Sequence, residues 1–271
     1  MENRRDFFST APVVWNIIII NVLCLIATTV LRSRSGIELN DTLGLHFVLS
    51  EKFRVYQFFT YMFMHAGVEH ILFNMFAVYM FGRLFEMFWG GKKFLFYYLV
   101  AGLGAAIVQQ TVWYIDYCSI ASHIADMPAV MSHISTEGAK ALAESLNYSD
   151  EYMGRLNILM NIPTVGASGA VFGILLAFGY MFPKEKLYMF FLPIPIPARV
   201  FVIVYGLIEL FAGVANFSWD NVAHFAHLGG LLFGLVLLLI WKKRGKLFTK
   251  DFCFSVKIFS LPARSSFPST S

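Results

Sequence analysis

The chain has 271 residues, 58% of them hydrophobic and 14% charged, with a mean hydropathy of +0.64. Soluble domains carry about 25% charged residues, so composition excludes a water-soluble globule and admits a membrane protein, which need not hide its apolar surface. The formal net charge of +4 is not gathered on a basic face, so nucleic acid is not a partner, and Cys24, Cys118 and Cys253 lie too far apart for a disulfide framework or a metal spacing.

Taken in chain order, six apolar segments are long enough to span roughly 30 Å of hydrocarbon at about 1.5 Å per helical residue. They cover residues 13–31, 70–88, 94–115, 167–182, 198–217 and 222–241. The fourth, "ASGAVFGILLAFGYMF", is the shortest and only marginally long enough. The first is too long for a cleaved signal peptide, and no small-residue cleavage site follows it. Placing residues 1–12 inside puts Arg4, Arg5, Arg83, Lys92, Lys93, Lys184, Lys186, Lys242, Lys243, Arg244 and Lys246 on one side. That excess predicts both termini in the cytoplasm. The expected location is a bacterial plasma membrane, because no presequence or extra span is evident.

Two outer segments are long. Residues 32–69 carry "FRVYQFFTYMFMHAGVEH", which reads as an interfacial loop with aromatic anchors. Residues 116–163 form a mixed-polarity insertion in which "EGAKALAESL" reads as a short soluble helix. The membrane domain thus extends over 13–248, and the tail 249–271, ending in "PARSSFPSTS", reads as disordered.

Polar groups at membrane depth are costly and each needs an account. Those inside the apolar segments are Asn16, Asn21, His70, Asn74, Glu86, Ser168, Glu209, His224 and His227. His70 and Asn74 open the second segment, Ser168 opens the fourth, and His227 sits roughly 8 Å into the sixth, so these groups share one depth below the outer surface. His70 and Asn74 also share a helical face, as do Gly169 with Gly173, and His227 with Gly230 and Gly234. Small residues at these intervals let helix backbones approach closely in lipid, which would bring Ser168 to His227. A Ser–His pair in hydrogen-bond reach is an activated nucleophile. His70, Asn74 and the free N–H of Ser168 are donors for a developing oxyanion.

Each residue has a plainer competing role. Ser168 alone fits a helix-packing site, since Gly-x-Ser-Gly arises by chance in about 8% of chains of this length. Ala170 also stands where the soluble hydrolase elbow has its last glycine. Asn16 and Asn21 read as interhelical hydrogen-bond partners. His65 and His224 read as structural or interfacial. Glu209 lies on the cytoplasmic side of the shared depth, which predicts a structural or water-facing role.

At these residues the sequence resembles the rhomboid intramembrane serine proteases. The resemblance rests on "HAGVEHILFN", "GRLFEMFWG", "GASG" and "AHLGGLLFG", in this order, from the first span to the sixth. It implies an all-α bundle of six transmembrane helices with an interfacial first outer loop and a water-filled cavity. It implies Ser168 as nucleophile and His227 as general base, a dyad without a carboxylate, with His70, Asn74 and the Ser168 amide as the oxyanion hole. Gly166, Gly169, Phe172 and Gly230 are the supporting positions, Phe172 by stacking on His227. The implied substrates are single-pass membrane proteins cut near the outer boundary, in lipid, with no metal and no cofactor. Two departures stand out. Several members carry Trp-Arg in the first outer loop, where this chain has Tyr56-Gln57, and Phe172 replaces a frequent Tyr. The alternative is a catalytically inactive rhomboid-like protein that binds membrane helices. A transporter is disfavoured because the polar groups cluster at one end and no repeated half is seen.

Overall fold

Helix ends in this chain fall where glycine, proline or charge interrupts an apolar run. The computed structural model describes residues 11–189, 192–215 and 223–247. The tail expectation, like most of residues 1–12, lies outside these residues. Helix α1 (Pro12–Ser35) starts with proline in its first turn and stops at Gly36 in the left-handed conformation, with Arg32 and Arg34 in its last turn. After short helices α2 (Leu39–Leu43) and α3 (Gln57–Thr60) and a 3₁₀ turn at Tyr61–Phe63, the second span runs unbroken over 68–89. It consists of α4 (Val68–Ala77), a π turn at Val78–Gly82 and α5 (Arg83–Trp89). Gly90, at φ 77°, turns the chain into α6 (Gly91–Ala121).

Helix α6 has 31 residues and outruns the expected 94–115, carrying the chain into the insertion. There α7 (Met127–His133) is capped by Asp126 and α9 (Glu151–Asn161) by Asp150, each side chain accepting from the backbone N–H three residues on. Between them a π turn at Ile134–Gly138 and α8 (Ala139–Ala143) supply the helix expected in "EGAKALAESL". Helix α10 (Ser168–Met181) follows, then α11 (Ala198–Ala215) and α12 (His224–Lys243). Among the described residues, five helical spans are long and apolar enough to cross a membrane, and α10, at 14 residues, is shorter.

One element departs from an all-α expectation. An antiparallel pair, β1 (Lys186–Met189) and β2 (Leu192–Pro197), joins α10 to α11. Proline at every second position of "LPIPIP" forbids a helix there.

The short α10 sits among α4–α5, α6, α11 and α12. Glycines set its spacing. A Cβ on Gly230 would overlap the Gly169 carbonyl, one on Gly234 would lie 3.2 Å from Gly173 Cα, and one on Gly169 would overlap Ala105. Tyr97 and Tyr61, both fully buried, donate their hydroxyls to the carbonyls of Gly173 and Gly102 at 2.8 and 2.6 Å. The outer faces of α1 and α11 expose Ile19, Leu23, Ile26, Val200, Leu207 and Val214, as lipid-facing surfaces do.

Two buried carboxamides hold the loop over 36–67 against the bundle. Gln57 accepts from the N–H groups of His46 and Arg54 and donates to the carbonyls of Thr42 and Lys52. Gln110 of α6 accepts from Val48 N–H and donates to the His46 carbonyl. Gln57, which stands where several rhomboids carry arginine, is therefore fully satisfied inside the loop. Leu45 pairs antiparallel with Thr164, and Ser50 donates to the Met160 carbonyl at 2.7 Å. Phe47 of the loop packs with Ile120, Ile134, Leu156 and Met160, so loop and insertion share one core.

Glu86, buried in the second span, accepts from Val13 N–H at 2.9 Å and Val14 N–H at 2.8 Å. It thereby satisfies first-turn donors of α1 that no helical carbonyl can reach. Glu86→Ala should cost about 2 kcal/mol, read as a lower unfolding midpoint in denaturant titration of the detergent-solubilised chain. Gly230→Ala should cost about 1–3 kcal/mol by overpacking; an unchanged midpoint would show that α12 can retreat from α10 without penalty.

Candidate active site

The first turn of α10 has backbone N–H groups with no carbonyl behind them. The chain enters it through Gly166, whose φ of 130° is a conformation that side chains rarely adopt. Gly166 N–H donates to the Tyr61 carbonyl at 3.0 Å, which ties this turn to the loop over 36–67. Ser168 is the first residue of α10, so its hydroxyl and its free N–H point from the same place. His227 lies one turn into α12, on the face brought close by Gly230.

The structure brings Ser168 and His227 together: His227 Nε2 lies 2.8 Å from Ser168 Oγ. Phe172, one turn after Ser168, stacks on the imidazole with ring centroids 4.2 Å apart and planes 8° from parallel. Its other neighbour is Tyr205, at 4.8 Å. The far nitrogen, His227 Nδ1, lies 2.8 Å from Glu209 Oε2, and His224 Nδ1 lies 2.7 Å from the same oxygen.

Glu209 therefore corrects two sequence expectations. It does not lie apart from the site, and the Ser–His pair does have a carboxylate behind it. The predicted span ends put Glu209 eight residues below 217 and His227 five below 222, a difference of about 4.5 Å at ~1.5 Å per residue. A glutamate side chain covers that distance. His224, expected to be structural or interfacial, shares the same carboxylate oxygen. The readable signal was the charge itself, since an ionisable group at membrane depth demands a partner.

The histidine–carboxylate contact has a chemical consequence. A proton on Nδ1 is held by Glu209, which leaves the Nε2 lone pair facing the Ser168 hydroxyl. Serine hydroxyl, imidazole and carboxylate then stand in the order that acyl-transfer sites use on unrelated folds.

His70 and Asn74 flank this arrangement from α4. Ala66 N–H donates to His70 Nδ1 at 3.4 Å, which puts the ring proton of neutral His70 on Nε2. A side chain at Gly166 would run into His70 Nε2, at 2.8 Å, and would approach Ser168 Oγ, at 3.6 Å. The missing Gly166 side chain thus leaves a space faced by a nitrogen donor and the hydroxyl. Asn74 is buried, and its Nδ2 donates to the His70 carbonyl at 3.0 Å, leaving a second N–H. His65 packs edge-on against His70, with centroids 5.0 Å apart. Burial, reinforced by His70, pushes the pKa of His65 down to about 4, so its ring is neutral near pH 7.

One three-atom cluster of possible metal ligands occurs among the described residues: Glu209, His224 and His227, with donor atoms within 4.8 Å of one another. Cys24 and Cys118 are free thiols away from it.

A family model described as a rhomboid domain matches residues 52–125 and 126–244. Rhomboid protein 1, mitochondrial, of Saccharomyces cerevisiae is 29% identical over 139 residues, covering 49% of this chain and 39% of that protein. RHOMBOID-like protein 12, mitochondrial, of Arabidopsis thaliana is 28% identical over 179 residues, covering 65% of this chain and 44% of its own length. The chain thus aligns with less than half the length of either relative. Both are named mitochondrial, so the bacterial plasma membrane expected from the sequence finds no support. The family match covers most of the chain, including every span from the second onward, and on it this membrane protein belongs to the rhomboid family.

Proposed function

We propose that this chain is an intramembrane serine endopeptidase in which Ser168 attacks and His227 is the general base, acting on single-pass membrane proteins near the membrane boundary. The observation that carries the reading is the 2.8 Å contact of His227 Nε2 with Ser168 Oγ, backed by Glu209 at Nδ1. Ser168 Oγ adds to the scissile carbonyl carbon while its proton passes to His227 Nε2. The carbonyl oxygen becomes an oxyanion held by the Ser168 N–H, His70 Nε2 and Asn74 Nδ2. Collapse of the tetrahedral adduct breaks the C–N bond, and the proton on His227 goes to the leaving amine. Water then repeats the sequence on the acyl-serine and releases the acid. Glu209 holds the tautomer throughout and stabilises the imidazolium.

A helical peptide bond is shielded, so the substrate must be extended at the cut. Helix-breaking residues near one end of a substrate helix are the expected mark of a good substrate. With α10 counted, six helices put the start of α1 and the end of α12 on one face, opposite the site. The mitochondrial relatives favour an organellar membrane.

The test is the purified chain in lipid with a single-pass substrate carrying such residues, scored for product by gel and mass spectrometry. Ser168→Ala and His227→Ala should each abolish cleavage, and nearly equally, because the pair acts as a unit. Product from Ser168→Ala would refute the assignment. No product from any chain, together with no labelling by a serine-reactive phosphonate, would favour the inactive helix-binding alternative. Asn74→Ala should lose no more than about 2.7–4 kcal/mol of transition-state stabilisation, as one oxyanion donor does. A wild-type rate for that variant would assign Asn74 to packing.

A further inference from the structure

The cluster behind the proposed dyad holds more donors than orienting an imidazole requires. Two imidazole nitrogens and a carboxylate oxygen converge between α11 and α12: His224 Nδ1 and His227 Nδ1 both approach Glu209 Oε2, at 2.7 and 2.8 Å. All three side chains are at most 12% exposed. His₂Glu is a donor set that suits zinc, with bonds of about 2.0–2.1 Å and hence donors roughly 3.3 Å apart around a tetrahedral ion. The two Nδ1–Oε2 separations are about half an ångström shorter, as hydrogen-bonded partners are, and the three donor atoms lie within 4.8 Å of one another, so side-chain shifts on the ångström scale convert one arrangement to the other. Magnesium and calcium prefer all-oxygen shells, and this site offers mainly nitrogen.

We propose that Glu209, His224 and His227 form an inhibitory site for Zn²⁺ or a chemically similar transition-metal ion. The binding claim stands on these three donors, and the inhibition claim rests on the proteolytic reading above. An ion bound at His227 Nδ1 uses that lone pair, so the proton of the neutral ring moves from Nδ1 to Nε2. The ring then presents N–H to Ser168 Oγ and can donate to it, but has no lone pair to accept its proton. The Nδ1–H bond is exchanged for an Nε2–H bond and the Nδ1 lone pair goes to the ion, with no redox change. The ion turns the base into a spectator while Ser168 stays in place. His224 is the residue that separates this role from catalysis, since it contacts the carboxylate but not the serine.

The experiment has two arms on the full chain in lipid or detergent. In the first, Ser168→Ala, which keeps all three donors, is titrated with Zn²⁺ by calorimetry and with Co²⁺ by visible absorption. One ion per chain is expected, with at least tenfold weaker binding once His224→Gln is added. Absent binding, or binding that ignores His224→Gln, overturns the site. If that variant does not fold, diethyl pyrocarbonate modification read by mass spectrometry replaces it: Zn²⁺ should protect His224 and His227, and equal modification with and without Zn²⁺ overturns the site. In the second arm, Zn²⁺ should inhibit cleavage by the active chain, EDTA should restore it, and Mg²⁺ and Ca²⁺ should not inhibit. The His224→Gln chain should need at least tenfold more Zn²⁺ for half-inhibition, measured against its own metal-free rate. Zn²⁺ bound in the first arm without inhibition in the second overturns the coupling to His227. A chain that neither cleaves nor takes the phosphonate label defeats the proteolytic reading, while the first arm still decides the metal site.

Discussion

The rest of the site depends on two backbones touching. Gly230 of α12 lies against the Gly169 carbonyl so closely that no side chain fits between them. A side chain at Gly230 would collide with the Gly169 backbone, push α12 away from α10 and lengthen the Ser168–His227 contact. Here the glycines remove the intervening side chains, and the Ser168–His227 hydrogen bond follows from the remaining distance. In lipid no hydrophobic effect draws helices together, so this packing and the hydrogen bonds across it must supply the attraction. The hydroxyls of Tyr97 and Tyr61, donated to glycine carbonyls, belong to the same account.

A second constraint organises the periphery. Backbone donors at helix ends and in loops lack partners, and several here are met by single side chains borrowed from another element. Glu86 meets two at the start of α1, Gln57 and Gln110 meet the loop over 36–67, and Asp126 and Asp150 cap the insertion helices. Each is a long-range or local polar contact that apolar packing alone would leave open. They explain how a loop with exposed Val55, Tyr56 and Phe59 can still hold a fixed course over the bundle.

Much of this was legible in the sequence, for identifiable reasons. Span positions followed from runs of apolar residues broken by glycine and charge, and α10 announced its shortness. The convergence of Ser168 and His227 followed from depth and from glycines at helical spacing, both of which are one-dimensional quantities. The role of Glu209 was not legible because a sequence gives depth along the helix axis alone, whereas side chains reach several ångströms up or down. The destinations of Gln57 and Gln110 were hidden for a similar reason: a carboxamide's partners lie in distant sequence and leave no periodic trace. The ladder at 186–197 is hidden in another way: alternating prolines exclude a helix but do not name the segment that pairs with them.

The pairing of Leu45 with Thr164 sits two residues ahead of Gly166, and the insertion and the loop over 36–67 meet in one core around Phe47. These parts are connected in series, like links ahead of a tool tip. A displacement of the insertion by a bound neighbour would be transmitted through the Leu45–Thr164 pairing to Gly166, and from there to the start of α10. The insertion and the loop over 36–67 are thus the long arm of a lever whose short end is the serine.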